Sequence, residues 1–332
     1  MSWTRRATEA PHRRPTGPPR IVERAGVVGF RSGAWLIGNL PERVARPLVE
    51  AAFLASYRLW PTKRRWSNEN FGHVLGLDPA DPQVDRLSRA AYRTYARYIV
   101  ELMRLPGLNA DEASELVDTR TLMPLEQLHG DTNGYILTSA HIGNLEAVAR
   151  GIARHGWPIH ALGDDTSFPE LFAHLRKQRA EWGVDLIPWR RMRSIFEILK
   201  KREVLCLVVD WGYKPDGIPV RLFGSWTTLP AGPAVLAART GAHIVPVAVR
   251  REAAGRFIVT YEEPFTVPSS APADLAAATQ RIADALERTI AQAPAEWYSF
   301  KPLWPATAAE KDELAERAES MRSGLTVAGG AG

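Results

Sequence analysis

Residues 138–146, Thr-Ser-Ala-His-Ile-Gly-Asn-Leu-Glu, set a histidine and a carboxylate five positions apart at the end of an apolar stretch. Tyr135-Ile136-Leu137-Thr138 is β-prone, His141 closes it, Gly143 and Asn144 make a turn, and Glu146 falls in the first turn of the helix that follows. A histidine at a strand end is a useful neutral base when a carboxylate holds its other ring nitrogen. The held tautomer leaves one lone pair for a proton, and the carboxylate stabilises the imidazolium that forms. Glu146 is close enough in sequence to hold the ring, and the helix dipole favours its negative charge there. No G-x-S-x-G run supplies a nucleophile, and Cys206, within Val-Leu-Cys-Leu-Val-Val-Asp, reads as a buried inert thiol. A His–carboxylate pair without a protein nucleophile suits activation of a substrate hydroxyl. The same nine residues also suit a structural histidine beside a helix-start glutamate.

Two textures of sequence must position these groups. From Glu42 to about Leu116 the chain reads helical: Val44, Leu48, Ala51 or Ala52, Ala55 and Leu59 recur at helical spacing. Further on, Val84, Leu87, Ala91, Tyr95, Tyr98, Ile99 and Leu102 do the same, with arginines mostly off that stripe. From about Asp118, short apolar strands alternate with helices of ten to fifteen residues. The strands fall at 134–140, 158–163, 185–189, 203–210, 243–250 and 256–263, and a long helix at 272–293 closes the series. This alternation predicts an α/β fold: a largely parallel central sheet flanked by helices, preceded by an N-terminal helical section. In such sheets ligands bind beyond the carboxyl ends of the strands, so His141 and Asp210, each ending an apolar run, should open onto one edge. The expected divisions are a disordered basic tail (1–20), the helical section (21–116), the α/β domain (117–305), and a C-terminal helix with a flexible tail (306–332).

Composition narrows the partners. The 332 residues are 45% hydrophobic and carry a formal net charge of +5, with a pI near 9.4, which favours anionic partners. No recognised nucleic-acid-binding motif accompanies that charge. The single cysteine excludes an internal disulfide and any multi-cysteine metal site. No run reaches the roughly 18–20 apolar residues of a spanning helix, and residues 21–41 lack a small-residue cleavage site. That segment reads either as an ordinary helix or as one lying in a bilayer surface, arginines at the headgroups and Phe30, Trp35, Leu36 and Ile37 below. As an in-plane helix it would make the N-terminal section membrane-docking and the protein peripheral, on the cytoplasmic face of the cell membrane.

Four segments in order, "SAHIGNLE", "LFAHLRKQRAEWG", the long "VVDWGYKPDGIPVRLFGSWTTLPAGPAVLAARTGAHIVPVAVRR" and "PAEWYSFKPLW", resemble the lysophospholipid acyltransferase superfamily. Residues from about 20 to 305 resemble its branch of lipid A biosynthesis lauroyl acyltransferases and phosphatidylinositol mannoside acyltransferases. The resemblance implies that His141 is the general base and Glu146 its orienting carboxylate. Arg179, just ahead of Glu181-Trp182-Gly183, matches the arginine of the second block and would contact a phosphate. Asp210 matches the acidic residue of the third block. Phe223-Gly224, Thr228 and Pro230-Ala231-Gly232-Pro233 match the strand-and-turn segment, putting Thr228 and Gly232 among the substrate-binding positions. It implies direct transfer of an acyl chain from acyl-CoA or acyl carrier protein, as co-substrate, to a phospholipid or glycolipid acceptor at an anionic membrane surface, without metal or another cofactor. A hydrolase using the same pair and a non-catalytic lipid-binding protein are the alternatives. Lauroyl transferases commonly begin with a spanning anchor, and no such anchor is expected in this sequence. Its ending leans to the mannoside branch, while glutamate at 146 leans to the lipid A branch.

Overall fold

The computed structural model describes residues 20–121, 134–153, 159–165, 168–252 and 255–323. The tail expected at 1–20 therefore falls almost wholly outside the described residues, as does the last part of the C-terminal tail.

Among the described residues four helices, α1 (Arg20–Asn39), α2 (Glu42–Leu59), α3 (Pro61–Leu75) and α4 (Pro82–Arg104), precede the sheet, with a short α5 (Ala110–Glu115). Their ends have local causes. Asp81 caps α4 by accepting from the Gln83 amide at 2.7 Å, with Pro82 at the first helical position, where a missing N–H costs nothing. Gly76, at φ 65°, ends α3 in the left-handed conformation.

The stripe expected on α2 is displaced. Ala45, Val49 and Tyr57 are buried, whereas Val44, Leu48 and Leu59 are exposed. One residue of offset turns the helix by about 100°. The small pair Ala45 and Val49 then packs on Ala96 and Val100 of α4, a close approach that bulkier residues would block. Ile37 joins this cluster and Phe30 packs edge-on against His174. Trp35 and Leu36 remain exposed.

The α/β region follows the expected alternation: β1 (Tyr135–Ser139), α6 (Leu145–Ala153), β2 (Ile159–Gly163), α7 (Pro169–Ala180), β3 (Val184–Pro188), α8 (Met192–Lys200) and β4 (Val204–Val208). Next come β5 (Ile218–Leu222), β6 (Ser225–Leu229), α9 (Gly232–Thr240), β7 (His243–Arg251), β8 (Phe257–Tyr261), α10 (Pro272–Gln292) and α11 (Ala308–Ser323). The main sheet runs β3-β2-β4-β1-β7-β8. All neighbours pair parallel except the edge strand β8. A separate antiparallel hairpin, β5–β6, turns through Phe223 (φ 48°) and Gly224 (φ 72°), the two left-handed positions of a tight hairpin turn. The main core joins the sheet to α8, α9 and α10 and to Trp297, Leu303 and Trp304 of the C-terminal segment. Among the described residues no helix is long and apolar enough to cross a membrane.

Candidate active site

β1 and β4 lie side by side in register, Ser139 opposite Val208, and the Val209 amide bonds the Ser139 carbonyl at 3.0 Å. The two chains therefore leave the sheet together, which brings His141 against Asp210. The Asp210 side chain has no exposed surface, and the His141 ring is 33% exposed. Oδ1 of Asp210 meets His141 Nδ1 at 2.6 Å and accepts the His141 backbone N–H at 3.0 Å. Oδ2 accepts the indole N–H of Trp297 at 2.8 Å. A carboxylate this deep is tolerable only with its lone pairs satisfied, and these donors satisfy them.

The electrostatics follow from the pairing. Burial alone would raise the Asp210 pKa, but the imidazolium charge and the bonds from His141 and Trp297 hold it below the ordinary carboxylate value. For His141, burial pulls downward while the Asp210 charge and hydrogen bond pull upward and win, with Lys301 opposing. With Nδ1–H donated to Asp210, Nε2 is the nitrogen left to take a proton. Cys206 in β4 stays inert: burial pushes its thiol up to about 12.

The loop after His141 is held from behind. Residues 296–298 run along it, with the Gly143 amide on the Glu296 carbonyl at 3.1 Å and the Tyr298 amide on the His141 carbonyl at 2.8 Å. Gly143 has φ 62°, and a Cβ there would come within 2.2 Å of the Val249 carbonyl oxygen. Only glycine fits this crossing over β7. Buried Asn144 caps α6 through the Ala147 amide at 2.9 Å. Its amide nitrogen donates to Glu101 at 3.1 Å, a carboxylate that also takes Arg97 and Arg251.

The expected pairing of Glu146 with the ring is not the arrangement found. Glu146 is committed to Arg179, whose Nε donates to it at 3.0 Å and whose Nη2 donates at 2.5 Å. The Arg179 side chain is only 8% exposed. The guanidinium fork expected to meet a phosphate is occupied by Glu146 in this structure, and Nη1 reaches the Leu175 carbonyl. The geometry has a simple cause. Glu146 on α6 is within reach of Arg179 on α7, whereas the sheet puts Asp210 next door to His141. Thr228 is buried, and its hydroxyl bonds the Lys214 backbone at 2.6 Å, so it ties down the loop after β4. Gly232 opens α9 at an exposed position with free space around its Cα. Neither residue is among the contacts of His141 found here.

Residue-level reasoning did not assign roles to Trp297, Trp211 or Lys301. Trp211 sits beside the imidazole, ring centroids 5.4 Å apart, and Lys301 Nζ stands 3.5 Å above the Trp211 ring. Their signal lay in the sequence: Trp211 follows Asp210 directly, and "EWYSFK" carries the other two. Tyr95, Tyr98, Tyr298 and Phe300 form a joined aromatic cluster beside this segment.

The family model described as bacterial lipid A biosynthesis acyltransferase matches residues 23–306. A phosphatidylinositol mannoside acyltransferase of Mycolicibacterium smegmatis is 30% identical over 285 residues, covering 84% of this chain and 91% of that protein. Its counterpart from Mycobacterium tuberculosis is 28% identical over 322 residues, covering 94% and 96%.

Proposed function

The chain belongs to the bacterial lipid A biosynthesis acyltransferase family and is an O-acyltransferase; from this premise we propose that it esterifies a glycolipid hydroxyl with an acyl chain taken from acyl-CoA or acyl carrier protein. The observation that carries the mechanism is the His141 ring held through Nδ1 by the buried Asp210. Nε2 takes the proton of the acceptor hydroxyl as its oxygen forms a C–O bond to the thioester carbonyl. The tetrahedral intermediate collapses with cleavage of the C–S bond, and the imidazolium returns its proton to the departing thiolate. An ester and a free thiol result, with no acyl-enzyme. Asp210 stabilises the transient imidazolium, the work the sequence had suggested for Glu146. Glu146 instead neutralises Arg179 and braces α6 against α7. The names of the relatives favour a phosphatidylinositol mannoside type of acceptor.

Both substrates carry long acyl chains, so the reaction belongs at a bilayer, and we place the protein peripherally on the cytoplasmic face of the cell membrane. Support comes from exposed Val28, Trp35, Leu36, Val44, Leu48 and Leu59 on α1 and α2, with arginines interspersed. Such a surface joins apolar insertion to attraction for anionic lipid.

Purified protein incubated with labelled acyl-CoA or acyl carrier protein and a panel of lysolipids and glycolipids tests the reading. Labelled acyl-lipid is expected, and labelled free acid or no turnover would refute it. Sedimentation with anionic vesicles, weakening with salt, is expected of the full chain. Indifference to such vesicles at low salt would remove the case for membrane docking.

A further inference from the structure

With Arg179 occupied by Glu146, a substrate phosphate needs another cation. Three lysines mounted on separate parts of the fold supply one. Lys301 rides on the C-terminal segment, which buried Asn70 of α3 fixes by bonding the Ser299 and Lys301 carbonyls at 3.0 and 2.7 Å. Lys214 lies in the loop after β4, pinned by Thr228 and by the Tyr213 amide on the Pro302 carbonyl at 2.9 Å. Lys63, on α3, lies 4.5 Å over Trp66 and 5.7 Å over Trp60.

Burial, followed by the positive charges of Lys63 and Lys214, holds the Lys301 ammonium below the ordinary lysine value, with Asp164 opposing. Lys301 in turn acts on His141 and stands on Trp211, the ring beside the imidazole. No carboxylate among the described residues lies within ion-pair distance of any of the three. Like charges with no carboxylate at ion-pair distance gain from an incoming anion even with Asp164 acting on Lys301 from farther off, and phosphate oxygens form short charge-assisted bonds with ammonium groups.

We propose that Lys301, Lys214 and Lys63 form a phosphate subsite beside His141 that holds an anionic group of a substrate, either a phosphate of the donor's carrier or the phosphodiester of the acceptor lipid. The proposal rests on the acyl-transfer reading. Its position suits either source, because donor carbonyl and acceptor hydroxyl must both reach Nε2.

The test is calorimetric titration of the full chain with coenzyme A and, separately, with glycerophosphoinositol. The variants are Lys301→Gln/Lys214→Gln and Lys301→Arg/Lys214→Arg. At least one probe should lose about tenfold or more in affinity in the glutamine variant and recover in the arginine variant. Loss for coenzyme A alone assigns the donor, loss for glycerophosphoinositol alone the acceptor, and loss for both a shared site. Equal affinities in wild type and glutamine variant, or no binding of either probe to wild type at millimolar concentration, would overturn the subsite and leave three solvated cations. His141→Ala separates this result from the reading beneath it. Retained transfer in that variant would sink the acyl-transfer mechanism, while its coenzyme A titration still reports on the lysines.

Discussion

The end of β4 and the start of α6 each carry a carboxylate that could have held the His141 ring, and only one does. Asp210 lies 69 positions from His141 yet bonds its ring and its backbone. Glu146 lies five positions away and turns to Arg179. The environments differ as much as the partners. Asp210 is wholly desolvated and depends on His141 and Trp297, whereas the Glu146 side chain keeps 26% of its surface and has one arginine fork. Adjacency in a parallel sheet outranks adjacency in the chain, because strands pair through fixed backbone bonds and their ends move as a unit.

The strongest way to break this contrast is at the base itself. His141→Ala should lose on the order of 10²–10⁴-fold in transfer rate with an unchanged circular dichroism spectrum. Near-normal turnover would show that the ring is not the base at either carboxylate's behest.

Asp210→Asn should follow, with a fall of roughly 10²–10⁴-fold by analogy with other ring-orienting aspartates and a displaced pH profile. Activity needs neutral imidazole, so the wild-type rate should rise with pH through a value above the ordinary 6.5. Removing the carboxylate leaves burial in command and should move that limb to lower pH. The raised histidine pKa also makes a stability statement. The pairing contributes in full below pH 6.5, and its contribution is lost as pH rises through the folded value.

Glu146→Gln sharpens the comparison from the other side. It leaves the buried Arg179 short of its counter-charge, and should lower unfolding free energy in denaturant melts by up to about 3 kcal/mol. The acid-side limb, on which activity rises with pH, should stay where wild type has it. A limb displaced as far as in Asp210→Asn would return Glu146 to the ring.

The smallest expected effect concerns His73, a histidine outside both regions, stacked on Trp304 with ring centroids 4.2 Å apart. Burial, then Lys311, pulls its pKa down to about 4, the opposite of His141, because no carboxylate compensates. Between pH 6.5 and about 4 the unfolded chain takes up a proton that the fold refuses. Stability should therefore drop as pH falls, by at most ~1.4 kcal/mol per pH unit from this group. His73→Phe, which keeps the stacking, should flatten that slope between pH 7 and 5 in urea titrations.

Much of the scaffold was readable because its signals are local. Apolar strand runs and the Gly143-Asn144 turn act within a few residues of themselves. The α2 stripe was read one position off because Ala45 and Val49 owe their burial to Ala96 and Val100, a partner no periodicity reveals. The β5–β6 hairpin was read only as a strand-and-turn approach to α9. Its turn relies on Phe223 at φ 48°, a residue whose type does not advertise a left-handed conformation.

The chain by itself determined that a histidine and an aspartate each end an apolar strand, and that both should face one edge of a largely parallel sheet. It did not determine strand order. The tertiary structure put β4 beside β1, closed Trp297 over Asp210 and swung Glu146 to Arg179. Which carboxylate holds the His141 ring was settled there, because hydrogen-bond partners depend on positions in space, and a strand's neighbours follow from how the whole sheet assembles.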